Sequence, residues 1–331
     1  MQPLRILTWH VHGSYLDSLV RTGHEFFLPV AEAGGSLHGG IGDWGWPPDR
    51  VHEVPEDSVR ELDVDAVLFQ SVANWEVDGP RILSDRQLRG PRLYVEHDPP
   101  RNDPTEQRHP VDDPDVLLVH VTAFNDLMWD SGATPTRVIE HGVPDPGLEW
   151  TGDRERGLVV VNNLARRGRR LGLDVYRRVA ERVPLDLIGM NAAEAGGLGE
   201  VTRDDLPAFA APYRFFFHPI RYTSFGMAVC EAMMLGMPVV ALATTEMPTV
   251  IENGRNGITD TNPDRLIDGA LELLGDRELA RRLGQAGREL ARERFSMERF
   301  TRDWDRAFRD VVGRRVRSGS RDPQPVAGVA V

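Results

Sequence analysis

Short apolar runs alternate along the chain with stretches whose apolar residues return every three to four positions. Leu4–Thr8, Ala66–Gln70, Arg92–Glu96 and Val116–Val121 read as strands, and Val138–Glu140 as a short one. Tyr15–Val30 predicts a helix and a possible second strand. Gly34–Asp49 is rich in Gly, Trp and Pro and too irregular for a tight connection. It reads as a loop facing an acceptor.

Periodicity breaks at Gly142–Gly157, where Pro, Gly and charge cluster as in an interdomain linker. It then resumes with strands at Leu158–Val161, Leu185–Ile188, Phe215–His218 and Val239–Ala243. Helices are predicted at Leu173–Arg182, near Met227–Leu235, and at Pro263–Leu274, Arg277–Arg294 and Met297–Arg314. Strand–helix alternation in both halves predicts a doubly wound α/β protein. The expected division is an N-terminal domain (1–145), a C-terminal domain (146–296), a C-terminal helix packing back on the N-terminal domain (297–315) and a disordered tail (316–331).

Composition narrows the chemistry. With 331 residues the chain has room for two domains at roughly 100–200 residues each. A net charge of −12 argues against a non-specific nucleic-acid partner, which would normally be basic. No apolar run reaches the roughly 18 residues of a membrane span. The first residues lack the pattern of a secretory signal, and Cys230 is the single cysteine, so the expected location is cytoplasmic. The sequence contains no lysine, so any side-chain cation gripping a phosphate must be Arg or His.

Phe216–Gly236 carries the candidate chemistry. A buried strand ends at His218, and a loop with Pro219, Ser224 and Gly226 leads into a helix starting at Met227. Free N–H groups and the positive dipole end make such a start suited to an anion, and Gly226 allows close approach. Glu231, about one and a half turns in, can reach the same crevice and accept bonds from the vicinal diol of a ribose. A second cationic segment follows Leu158–Val161, with Arg166, Arg167, Arg169 and Arg170. Arginine forks suit phosphate oxygens.

Pro219, Phe225, Gly226, Glu231, Ala232, Met233, Gly236, Pro238 and Val239 together resemble the donor motif of glycosyltransferase family 4, the retaining GT-B enzymes (glycosyl transferases group 1). Glu246, Asn253, Gly254 and Gly257 fit its continuation. That resemblance implies a GT-B fold, an α/β architecture of two Rossmann-like domains facing each other across a cleft, the N-terminal one (1–145) taking the acceptor and the C-terminal one (146–296) the donor. It also implies transfer of a sugar from a nucleoside diphosphate donor with retention. It implies no metal and no cofactor, the donor phosphate itself assisting departure. The family's first acid, which contacts the transferred sugar, falls on Thr223, so Thr223, Ser224 or Tyr222 would supply a neutral hydrogen bond. Glu231 would hold the ribose. Arg167, Arg170 and Arg221 would clamp the diphosphate, with Gly13, Gly189, Phe225, Gly226 and Met227 also lining the donor. His97, near the end of a strand, would stand close to the sugar.

Plainer readings stand beside these. The arginine run could be a solvated loop, the helix 227–235 a core helix, and His97 structural. His120 alternates with apolar neighbours and reads as a core histidine, and Cys230 as packing. His10, His12, His97 and His109 show no paired metal spacing. The partners expected are a nucleotide-sugar donor and a small-molecule or glycan acceptor, in bacterial natural-product or cell-envelope glycosylation. A nucleotide-sugar epimerase or a non-catalytic sugar-nucleotide-binding protein are the competing readings.

Overall fold

Each apolar run of the N-terminal half becomes a strand of one parallel sheet. In the computed structural model, which describes residues 2–31, 40–147 and 149–319, the strands are β1 (Arg5–Thr8), β2 (Glu25–Val30), β3 (Val51–Pro55), β4 (Ala66–Phe69), β5 (Arg92–Glu96), β6 (Val116–His120) and β7 (Thr136–Val138). Their order is β3-β2-β1-β4-β5-β6-β7. The C-terminal half forms a second parallel sheet from β8 (Arg154–Val160), β9 (Leu185–Ile188), β10 (Tyr213–His218), β11 (Val239–Leu242) and β12 (Gly257–Asp260), ordered β12-β11-β10-β8-β9. All pairings within both sheets are parallel, as strands joined by helical crossovers must be.

The central strands are buried on both faces. Phe216 joins a core with Val229, Met233 and Val239, while Phe215 and Phe217 face the opposite core with Val175 and Leu283. Strands lacking that signature are the ones the sequence pattern misplaces. β3 is an edge strand with alternating exposure and a terminal Pro55, tolerated there because an edge need not donate on both sides. β7 lies at the opposite edge and pairs as Leu118↔Thr136 and His120↔Val138, two residues before the expected Val138–Glu140. β8 begins at Arg154, inside the stretch read as linker. Its polar start pairs with Tyr213, and Arg156 bonds Asp186 at 2.6 Å, so side-chain partners replace apolar burial. β12 closes the other edge.

The helix Met297–Gly319 crosses back to the N-terminal sheet. Phe300, Trp304, Phe308 and Val311 join the core of Ile6, Tyr15, Leu19 and Phe26, and Trp304 Nε1 donates to the Tyr15 hydroxyl at 3.1 Å. Gly142 permits this return, because a Cβ there would stand 2.3 Å from Phe300 Cβ. The helix reaches Gly319, into the stretch 316–331 expected as a tail. The rest of the expected tail, 320–331, lies outside the described residues, as does 34–39 of the loop read as acceptor-facing.

Candidate active site in the interdomain cleft

The loops after β5 and β6 meet those after β10 and β11. Ser224 Oγ donates to the His97 carbonyl at 2.6 Å, and Tyr222 Oη to the Pro100 carbonyl at 2.8 Å. Phe124 N donates to Glu246 Oε2 at 2.8 Å, and His141 Nε2 lies 2.7 Å from the Phe225 carbonyl. Thr245, beside Glu246, holds φ +51°, a strained conformation for a β-branched residue.

The helix Met227–Leu235 begins at this junction, with Gly226 as its N-cap in extended conformation and no side-chain cap. Val229 N donates to the Gly226 carbonyl at 3.0 Å, and no N-cap side chain takes the remaining N–H groups of the first turn. Met227 packs against the cores of both domains, so this helix start sits on the domain boundary. Phe225 is buried and stacks on Phe295 at 5.4 Å; its ring is a wedge in the core, and only its backbone faces the loop.

One turn on, Glu231 and Ala228 line a cavity of about 710 Å³ between the domains. Its floor is apolar, with Val160, Phe216 and Met237, and its opposite wall includes Trp44, Trp46 and Asp17 of the N-terminal domain. Burial pushes Glu231 up to about 7, with Arg203 the opposing influence. A carboxyl held at that value is poised to accept hydrogen bonds from a diol that excludes its remaining water.

The arginine run divides sharply. Arg166 pairs with Glu194 and Arg169 with Asp174. Among the described residues the guanidiniums of Arg167 and Arg170 carry no ion pair. Burial, then the Arg167 and Arg101 charges, hold Arg170 below its ordinary value. A half-buried cation crowded by like charges marks a place built for an anion. Backbone bonds fix it there, since Arg221 N and Tyr222 N both donate to the Arg170 carbonyl, at 3.1 and 3.2 Å. Arg221 does not share the expected role: its guanidinium grips Asp174 Oδ2 at 2.7 Å and the Arg169 carbonyl at 2.8 Å, bracing the loop.

His97 stands on the N-terminal side, its ring edge-on to Tyr15 at 4.7 Å and to His12 at 4.3 Å. Burial, then His12 and His141, lower it well below its ordinary value, and its buried Nε2 has no hydrogen-bond partner among the described residues. Ser224 is spent as a strut to the His97 carbonyl, while Thr223 remains half-exposed between the two bridging residues. Gly13 admits Trp44, whose ring atom Cζ2 would lie 2.2 Å from a Cβ, so this glycine makes room for an indole. Gly189 holds φ +128°, and a Cβ there would press on Asn162 and the Val161 carbonyl. His120 is buried, and burial lowers it to about 4.

Sequence reasoning missed Asp17, Arg101 and Arg203. Each is a charge in an ordinary surface pattern; Arg101 pairs with Asp98 of its own loop, while Arg203 meets Asp17 only where the two domains dock. Trp44 and Trp46 lay inside the stretch singled out for its composition, but they line the cavity of Glu231.

Residues 192–290 match the family of glycosyl transferases group 1. An uncharacterized glycosyltransferase of Methanocaldococcus jannaschii is 26% identical over 176 residues, 49% of this chain and 50% of that protein. This chain thus spans about half the length of that relative. Sucrose-phosphate synthase from Thermosynechococcus elongatus superposes with a TM-score of 0.72 at 16% identity, over 94% of this chain and 100% of the other. Anabaena HepE in complex with UDP gives 0.64 at 14% identity, over 93% and 100%. The fold is therefore GT-B, two parallel α/β domains closed on a cleft. Within that class the chain resembles the group 1 glycosyltransferases, and the matched segment holds the loop and helix of residues 219–235.

Proposed function

We propose that this protein transfers a sugar from a nucleoside diphosphate donor to an acceptor held by the N-terminal domain, with retention at the anomeric carbon. The observation that carries the reading is a set of linked features: Arg167 and Arg170 without ion pairs among the described residues, the loop before helix Met227–Leu235 bonded to the Arg170 carbonyl through Arg221 N and Tyr222 N, and Glu231 of that helix in the adjoining cavity. A nucleoside fills the cavity, Glu231 accepts from its ribose, and the diphosphate lies between the helix start and the two guanidiniums. HepE, a protein of the same fold, has been captured with UDP, which supports placing a nucleotide in such a cleft.

Stabilising the departing diphosphate is then the main catalytic task, met by fixed cations and backbone dipoles. No side-chain nucleophile or divalent metal is invoked; the donor's own phosphate takes the acceptor proton. The neutral Thr223 is the one feature favouring a sugar-nucleotide-binding protein without turnover. The test is to incubate the protein with UDP-, GDP-, ADP- and TDP-sugars and follow nucleoside diphosphate release and the anomeric configuration of the product. Release with the donor's configuration preserved is expected; tight binding with no release would overturn the transferase reading.

A further inference from the structure

Two hydrogen bonds set the loop after β10 in register with the loop after β5. Tyr222 Oη donates to the Pro100 carbonyl and Ser224 Oγ to the His97 carbonyl. Thr223, between Tyr222 and Ser224, therefore lies on the segment that these bonds tie to residues 97–100. The Asp98 backbone is pinned on both sides, its N–H donating to Glu96 Oε1 at 2.8 Å and its carbonyl accepting from Trp129 Nε1 at 2.8 Å. Arg101 grips its Oδ2, yet the carboxylate stays a quarter exposed. The Asp98 charge also reaches the Arg170 guanidinium.

A carboxylate beside guanidiniums that grip phosphate weakens their hold on it, so phosphate binding alone gives it no reason to be there. Sugar hydroxyls do. They are donors in search of a strong acceptor, and a hydrogen bond to a carboxylate is roughly twice as strong as one between neutral groups. Position 223 offers only a hydroxyl, and the neighbouring Ser224 hydroxyl is already committed.

We propose that Asp98, reaching across the cleft from the N-terminal domain, is the acid that binds the hydroxyls of the donor's transferred sugar. The assignment rests on the donor-site reading above. Arg101 orients the carboxylate and offsets its charge toward the diphosphate. Because the acid and the phosphate clamp belong to different domains, the sugar is held only when the cleft is closed.

The test separates the sugar from the nucleotide. Wild-type protein is titrated with UDP, GDP, ADP and TDP, and turnover is measured with the sugar donor of whichever base binds. Asp98→Asn should leave the affinity for the free nucleoside diphosphate within about twofold. It should lower kcat/KM for the sugar nucleotide on the order of 10- to 100-fold, the range for one hydrogen bond to a charged group. Asp98→Glu, which disturbs packing at least as much but keeps the acid, should retain more turnover than Asp98→Asn at a similar melting temperature. Thr223→Glu added to Asp98→Asn should recover part of the loss by supplying the acid from the facing loop. Unchanged turnover in Asp98→Asn, an equal loss for free nucleoside diphosphate, or no recovery in the double variant would overturn the assignment while leaving the donor site standing. A wild-type protein that binds none of the four nucleotides would sink the donor reading itself.

Discussion

Arg203 of the C-terminal domain donates to Asp17 Oδ2 of the N-terminal domain at 2.5 Å, and its guanidinium carbon stands 5.1 Å over the Trp44 ring. Asp17 also accepts from Arg21 at 3.2 Å and from Trp46 Nε1 at 3.0 Å. Burial alone would raise the Asp17 carboxyl, but Arg203, Arg21 and Trp46 outweigh it and hold it below its ordinary value. The strap closes one side of the Glu231 cavity. Asp17→Ala strands two guanidiniums and an indole N–H, and should cost about 1–3 kcal/mol. Arg203→Ala should cost less, because Asp17 keeps Arg21 and Trp46. Thermal unfolding of both variants checks the order, and equal costs would show that Arg21 and Trp46 contribute nothing.

Glu231 ties stability to pH. Its folded value, about 7, lies above the ordinary 4.5, so between these limits the folded protein holds a proton that the unfolded chain has released. Folding stability contributed by this group therefore falls as pH rises from about 4.5 to about 7, and is level above that. Glu231→Gln removes the penalty. The variant should melt a few degrees above wild type at pH 8 and level with it at pH 4.5. The same substitution should weaken nucleoside diphosphate binding on the order of tenfold or more, since a neutral amide is a poorer partner for the ribose diol. A Glu231→Gln protein that melts like wild type at pH 8 would mean that the carboxylate is solvated in the cleft.

How much of this was legible from the residues alone follows burial. Arg92–Glu96, Leu185–Ile188 and Arg277–Arg294 were readable to the residue because their apolar spacing has no competing explanation. β3, β12 and the start of β8 were not, since edge and polar strands are defined by their neighbours. The same division holds in the cleft. The loop and helix of 219–235 carry a dense local pattern. Arg221, equally basic and equally near, is withdrawn by Asp174, forty-seven positions earlier in the chain. Asp17 and Arg203 meet over a separation of 186 positions, and no local pattern announces such a pair.

Arg170 separates stability from function. Its guanidinium is half-buried, makes no ion pair among the described residues and is crowded by Arg167 and Arg101, with Asp98 the opposing charge beside them. Removing it relieves repulsion in the free protein, while its backbone carbonyl still holds the loop of Arg221 and Tyr222. Arg170→Ala should melt no lower than wild type without ligand, and should lose on the order of 10- to 100-fold in affinity for a nucleoside diphosphate. Calorimetric titration at two salt concentrations checks it, the difference between variant and wild type narrowing as salt screens the charges. A variant that melts several degrees low would make Arg170 a structural residue instead.

Gly172 fixes the distance between the arginine loop and the loop after β10. It adopts φ +81°, ψ +30° ahead of the helix Leu173–Ala180, and a Cβ there would stand 1.9 Å from the Pro219 carbonyl oxygen. Backbone cannot swing aside as a side chain can, so Gly172→Ala must displace one loop from the other. The left-handed conformation alone costs a non-glycine residue about 1–2 kcal/mol, and the overlap adds about 1–3 kcal/mol. Gly196 supplies the control: it holds φ +80°, ψ +16°, but nothing lies within 4 Å of its Cβ position. Gly196→Ala should therefore show only the conformational cost and leave ligand binding untouched. Gly172→Ala should cost more and also weaken nucleoside diphosphate binding, because Arg170 and Tyr222 move apart. Equal melting temperatures for the two variants would mean that the 169–172 and 219–222 loops shift freely, and that the spacing of the phosphate clamp is set elsewhere.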